Sequence, residues 1–242
     1  MLLRLVIFII IYILFIVIGI IIPSKYYRLV WCGLCNYAGM SLTGFRMRIQ
    51  NQDRIYNAIN SDDNILIVSN HRTLFDPYIM SGCFNGHISY VFDRKILDKI
   101  PFFTFALQYL TNSIPVEKKN TTDLIRKFTE NRKKGDSLLC IFADAMGKIE
   151  QGKHIAPFKT GAFIHKFKIL PIVIKYKNYT IDPKHLWYKG EHFSWGVFKT
   201  WLNDTVDVTL HVMNPIQPKT EWSIEYYRDY VNDCMNKQYN DM

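Results

Sequence analysis

The chain has 242 residues, about half of them hydrophobic, and its 30 Lys and Arg exceed its 21 Asp and Glu to give a net charge of +9. That composition excludes a disordered chain and is long enough to bury one full core, alone or with an appendage. The excess positive charge calls for an anionic partner: phospholipid headgroups, phosphorylated substrates or nucleic acid.

The chain starts apolar. Residues 5–22 are eighteen residues without a charge, just enough to span a hydrocarbon core. The run is longer than a usual signal-peptide core, and Ile21-Ile22-Pro23-Ser24-Lys25 offers no small-residue cleavage site, so an uncleaved transmembrane or membrane-embedded anchor is expected over residues 1–24. Arg4 precedes it, and Lys25, Arg28, Arg46 and Arg48 follow. The positive-inside rule then leaves the rest of the protein facing the cytoplasm, on an intracellular membrane of endoplasmic-reticulum type or a bacterial inner membrane.

Residues 25–60 read as a membrane-proximal helical segment, with an amphipathic or re-entrant stretch over 25–48. Cys32-Gly33-Leu34-Cys35 is a lone C-x-x-C without a second ligand pair, which reads as packing rather than metal or redox chemistry. The odd total of five cysteines suits a reducing compartment.

From residue 61 onward, short apolar runs alternate with helical stretches. Strands are expected at 65–68, 88–91, 137–142, 170–174 and 206–212, and helices at 77–84, 96–109, 122–134 and 160–167. The alternation predicts an α/β fold, a mixed sheet flanked by helices, over residues 61–242. Val206, Val208, Leu210 and Val212 alternate with period two, which places that strand half exposed or at an edge. In 96–109 a basic start leads into Pro101-Phe102-Phe103-Thr104-Phe105. This segment suits either a core helix or a membrane-surface element with a candidate acyl groove.

One stretch, residues 64–77, reads NILIVSNHRTLFDP. His71 and Asp76 are five residues apart, which puts them well off one face of any continuous helix. They can meet only if the chain turns between them. Ile65 to Val68 supplies a buried strand, and Asp76-Pro77 looks like a helix start with Asp76 as N-cap. His71 would then sit in the strand-to-helix loop above the sheet, where α/β proteins usually hold their chemistry.

These residues resemble the H-x4-D motif of the glycerolipid acyltransferases, typified by the 1-acylglycerol-3-phosphate acyltransferases. The Asn-His-Arg-Thr start is similar to the lysocardiolipin-type members. Lys95, Pro101 and Phe102, followed by Ile114-Pro115-Val116-Glu117-Lys118, resemble the family's second block. Ile169-Leu170-Pro171-Ile172-Val173-Ile174, preceded by Phe158-Lys159-Thr160-Gly161-Ala162, resembles the hydrophobic fourth block, and Val206 to Ile216 its closing strand. The third block departs. Where the family has Phe-Pro-Glu-Gly-Thr-Arg, this chain has Phe142-Ala143-Asp144-Ala145-Met146-Gly147-Lys148. Lys118 also stands where the second block usually carries arginine. Both departures fall where the resemblance implies phosphate binding, and lysine does not reproduce the bidentate grip of arginine.

The resemblance implies a membrane-bound acyltransferase that moves a fatty acyl group from acyl-CoA to a lysophospholipid such as lysophosphatidic acid. Acyl-CoA is a co-substrate, so no cofactor is expected, and no histidine cluster has metal-ligand spacing. Transfer from a thioester to a hydroxyl needs a base for the hydroxyl proton and a carboxylate to orient that base; His71 and Asp76 supply the pair without a covalent intermediate. Asn70 and Arg72, or backbone amides where the helix starts, are candidates for oxyanion stabilisation or positioning. Lys118 and Lys148 are candidates for substrate phosphate, with Asp144 in support. A glycerol-3-phosphate acyltransferase and a lipid-binding protein without turnover are the other readings. Nucleic-acid binding is disfavoured, because the bases are scattered and no recognition motif accompanies them. Oligomeric state is not legible.

Overall fold

The computed structural model describes residues 2–22, 25–73, 75–93, 108–116, 120–144, 153–177 and 205–242. Two long helices, α1 (Leu2–Ile21) and α2 (Lys25–Leu42), open the chain and pack on each other. A short strand β1 (Phe45–Gln50) and helix α3 (Gln52–Ile59) follow. Then come β2 (Ile65–Ser69), α4 (Asp76–Cys83), β3 (Ile88–Phe92), β4 (Ile114–Pro115), α5 (Thr121–Glu130) and β5 (Leu138–Phe142). A 3-10 turn (Thr160–Ala162), β6 (Lys168–Tyr176), β7 (Val206–Val212) and α6 (Ile224–Asp241) complete the described elements.

The strands form one seven-stranded mixed sheet in the order β1-β7-β6-β2-β5-β3-β4. From β6 to β4 all neighbours are parallel; β7 runs antiparallel to β6, and β1 is parallel to β7. The central strands are buried on both faces, which is why they read as unbroken apolar runs. Ile65 and Ile67 point into one core with Ile79, Met80 and Phe84 of the α4 side. Leu66 and Val68 point into the other with Phe163, Tyr227, Val231 and Met235.

The expected α/β architecture is present, and all five expected strands form. Several details differ. β7 is not at an edge: β1 covers its outer side, and its alternation reflects one covered face, with Val206, Val208, Leu210 and Val212 in the core. Residues 25–60 are not wholly helical, since Phe45–Gln50 forms β1 with Arg46 and Arg48 outward. The helix expected at 160–167 is only a 3-10 turn, because Lys166 adopts φ +47° and Phe163 and Phe167 both turn inward. The helix expected at 96–109 lies outside the described residues save its helical end at 108–109.

The expected N-terminal membrane span is not supported: among the described residues no helix is long and apolar enough to cross a membrane. Instead one side of α1 is occupied by protein. Phe15 is buried with Cys32, Cys35 and Leu110, and Ile11, Tyr12 and Ile16 pack against that cluster. Trp31 donates its indole N–H to the Phe15 carbonyl oxygen at 3.1 Å. The pair of helices is seated on the sheet domain by glycines. A Cβ on Gly33 would lie 2.3 Å from the Asn85 carbonyl carbon, and one on Gly86, at φ +80°, would lie 1.6 Å from the Leu29 oxygen. Only glycine allows so close a backbone approach.

Candidate active site

The site lies at the carboxyl end of β2. From there the chain passes through α4 on one face of the sheet to β3, whereas from neighbouring β5 it passes over the other face to β6. Connections that diverge in this way open a crevice above the strand ends.

Asn70 is the first residue beyond the strand and is fully buried. Its carboxamide donates to the Ile174 carbonyl oxygen at 2.9 Å and accepts from the Ile174 N–H at 2.8 Å. A side chain thus continues the β2–β6 ladder after the main chain has left it. On the opposite flank the His71 N–H donates to Asp144 Oδ1 at 2.9 Å. The loop is therefore anchored to β6 by Asn70 and to the end of β5 by Asp144.

His71 Nδ1 lies 2.8 Å from Asp76 Oδ2. Its ring stacks on Phe142 at 4.4 Å between centroids and 20° between planes, and Phe142 in turn stacks on Tyr90. Asp76 is fully buried. Its Oδ2 also accepts the main-chain N–H groups of Arg72 at 2.5 Å and Thr73 at 2.8 Å, and its Oδ1 accepts the hydroxyls of Thr73 and Tyr176. A buried carboxylate is tolerated when donors surround it in this way.

Asp76 does not cap the helix. α4 begins at Asp76 itself, with Phe75 in the cap position and Pro77 in the first turn. The carboxylate turns back into the loop, where the amides of Arg72 and Thr73 need an acceptor. Those two amides are engaged by Asp76, and the Asp76 N–H by the Thr73 carbonyl. Of the groups expected as oxyanion donors or positioning residues, the Asn70 carboxamide is engaged by Ile174 and the Asp76 N–H, at the helix start, by the Thr73 carbonyl.

Arg72 is buried rather than solvated. Its guanidinium donates to the His154 carbonyl oxygen and lies 5.2 Å from the centre of the Tyr239 ring. Asp144 is buried too, and burial pushes its carboxyl up to about 6 against the opposing pull of His71 and Arg72. Lys118, Lys148 and the candidate acyl groove at 96–107 lie outside the described residues. Among the described residues no group of three or more His, Cys, Asp or Glu could hold a metal ion.

Sequence reasoning missed Tyr176, Thr73, His154, Lys175 and Tyr239. Thr73 sits inside the motif, and Tyr176 is two residues beyond the apolar strand 170–174, a position that a strand register would have brought to the loop. No pattern in the sequence signals Tyr239, which arrives on the C-terminal helix.

A neutral histidine whose Nδ1–H is held by a carboxylate carries its lone pair on Nε2 and can take a proton there; the same carboxylate then stabilises the imidazolium. Ring stacking on Phe142 fixes the plane in which that lone pair points. The arrangement has the geometry that a general base requires.

A family described as Acyltransferase matches residues 46–175, which contain every element of the dyad loop. No curated protein matches the chain. Among solved structures, the chain is similar to the crystal structure of the 1-acyl-sn-glycerophosphate (LPA) acyltransferase PlsC from Thermotoga maritima. The TM-score is 0.61 at 16% sequence identity, over 99% of this chain and 97% of that one.

Proposed function

Because the chain belongs to the acyltransferase family, we propose that it transfers a fatty acyl group from acyl-CoA to the free hydroxyl of a lysophospholipid, of which lysophosphatidic acid is the reference acceptor. The observation that carries this reading is the 2.8 Å contact between His71 Nδ1 and the buried carboxylate of Asp76. His71 Nε2 takes the acceptor hydroxyl proton as the oxygen attacks the thioester carbonyl. The tetrahedral intermediate collapses, the C–S bond breaks, and the imidazolium returns the proton to the departing thiolate. Direct transfer is supported by what the two hydroxyls at the dyad do: that of Tyr176 donates to Asp76 Oδ1 and so holds the carboxylate. Thr73 Oγ1 contacts Asp76 and accepts from the Phe75 N–H, so it serves the loop rather than acting as a nucleophile.

Asp144 favours turnover over a purely lipid-binding role. Although the third block is altered, its acid still accepts the His71 N–H, and the dyad geometry is intact.

The same proposal places the protein on a membrane surface. Leu3, Val6, Ile10, Ile13, Val17 and Ile20 form one stripe along α1 and are 43–70% exposed. A helix with one face seated on protein and an aliphatic stripe on the other suits burial in the acyl boundary of a single leaflet, with basic residues at the headgroups. The site would then face the cytoplasm on an intracellular membrane.

The test is transfer of labelled acyl groups from acyl-CoA to a panel of lysophospholipids and glycerol 3-phosphate, comparing wild type with His71→Ala. Label moving to a lysophospholipid, and falling about a hundred- to ten-thousand-fold in the variant, is expected. Label accumulating on the protein in a hydroxylamine-sensitive form would overturn direct transfer. No transfer to any acceptor would overturn the reading itself.

A further inference from the structure

Two cations beside the dyad converge on one aromatic ring. The Arg72 guanidinium carbon lies 5.2 Å, and Lys175 Nζ 5.0 Å, from the centre of the Tyr239 ring. His154 stacks on the same ring at 5.0 Å and 17°. Lys175 donates to the Tyr239 carbonyl oxygen at 2.9 Å, and Arg72 to that of His154. Among the described residues neither cation pairs with a carboxylate. Arg72 is only 6% exposed, and its buried Nε–H has no partner among the described residues.

A buried guanidinium with an unmet donor, sharing one ring with an ammonium that has no carboxylate partner among the described residues, is an expensive arrangement that the attraction between Arg72 and Asp144 offsets only on the guanidinium side. An anion with several acceptor oxygens relieves it, and the planar fork of arginine is matched to phosphate. The framework around the cluster is rigid. Asn236 of α6 accepts the main-chain N–H groups of His154 at 3.0 Å and Ile155 at 2.9 Å, and Asn232 donates to the Ala156 carbonyl oxygen at 2.9 Å. His154 feels the local potential: partial burial first, then Arg72 and Lys175, lower its pKa.

We propose that Arg72 and Lys175, held against Tyr239, form a phosphate-binding site adjoining His71. The proposal rests on the acyl-transfer reading for its physiological ligand, which is a phosphate carried by a substrate. Two sources share that chemistry: the headgroup of the acceptor and the phosphates of the acyl-CoA donor. Arg72 neighbours the base in sequence, and Lys175 lies between Ile174, which holds Asn70, and Tyr176, which holds Asp76. A phosphate bound there is tied to the strand that positions the dyad.

The experiment uses the full chain in detergent micelles, as wild type, Lys175→Gln and Lys175→Arg. Inorganic pyrophosphate and lysophosphatidic acid are expected to raise the unfolding temperature of wild type and Lys175→Arg, and to do so much less in Lys175→Gln. This readout needs no turnover, so it stands even if no acyl transfer is found. Where transfer is measured, loss of one charge-assisted contact raises KM for the bound substrate about ten- to a hundredfold in Lys175→Gln. A rise confined to lysophosphatidic acid assigns the acceptor headgroup; a rise confined to acyl-CoA assigns the donor. Equal rises for both, no rise for either, or equal thermal shifts in wild type and Lys175→Gln would overturn the proposal.

Discussion

Asn70 and Ile174 exchange two hydrogen bonds, carboxamide against main chain, at 2.9 and 2.8 Å. The contact fixes where β2 ends relative to β6, and with it the starting point of the loop that carries His71. Asn70→Ala leaves a buried N–H and a buried carbonyl of Ile174 without partners, at a cost of about 2–4 kcal/mol. Denaturant unfolding in detergent should report that loss, accompanied by a lower kcat. Asn70→Asp should be no better, since it sets a second oxygen against the Ile174 carbonyl. An alanine variant with unchanged stability would mean the contact is dispensable.

Tyr176 reaches Asp76 from the same strand, two residues beyond Ile174. Its hydroxyl donates to Asp76 Oδ1, while Oδ2 is shared by His71 and two amides. Tyr176→Phe removes one of five donors, and kcat for acyl transfer is expected to fall about three- to tenfold with little change in KM. Asp76→Asn presents an amide group to other donors and disturbs the histidine tautomer, so its loss should be far larger, about a hundred- to ten-thousand-fold. Steady-state kinetics of the two variants side by side would check the ordering. A phenylalanine variant as impaired as Asp76→Asn would give Tyr176 a part in the chemistry beyond holding the carboxylate.

The motif from Ile65 to Asp76 was legible because its parts are contiguous: an apolar strand, a loop and a proline-marked helix start lie within a dozen residues. Its supports were not. Ile174 and Tyr176 reach the loop only through the parallel register of β2 on β6, and Tyr239 only through the docking of α6. Residues 217–242 received no element in the sequence reading, although Tyr227, Val231 and Met235 make an i, i+4, i+8 stripe that is fully buried. In 45–50 the alternation of Phe45, Met47 and Ile49 with Arg46, Arg48 and Gln50 is a strand signal. The apolar start nearby masks it, because beside such a segment those arginines count as flanking positive charge. The apolar start was read as a span for a related reason. Composition counts aliphatic residues but does not tell which of them face protein, and Phe15 and its neighbours do.

Asp144 gives a pH dependence whose sign follows from its burial. Its carboxyl rises to about 6 in the folded protein from an ordinary value of 3.8. Between those values the folded state holds more protons than the unfolded state, so stability falls as pH rises through the window and stays low above it. The penalty at pH 7.5 is on the order of 3 kcal/mol. Asp144→Asn removes the ionisation but keeps an oxygen to accept the His71 N–H. It should therefore be more stable than wild type at pH 7.5, and the advantage should shrink toward zero near pH 4. Unfolding midpoints measured across that range would check it. A gap that widens on acidification would reverse the assignment.

Gly33 tests how the helical pair is joined to the catalytic body. An added Cβ would lie 2.3 Å from the Asn85 carbonyl carbon and 2.5 Å from the Gly86 nitrogen, and backbone cannot move aside as a flexible side-chain tip can. Gly33→Ala must push α2 away from the turn after α4, and overpacking of this kind costs about 1–3 kcal/mol. Cys32 and Cys35, buried on either side, should then react faster with a maleimide in the folded protein. Gly161→Ala is the control, since its added Cβ has nothing within 4 Å. If the hairpin is what seats the protein on lipid, Gly33→Ala should still sediment with vesicles while losing transferase activity, because the stripe on α1 survives and the geometry linking it to His71 does not. Loss of sedimentation with retained activity would show that the docked arrangement, and not α1 alone, makes the lipid contact.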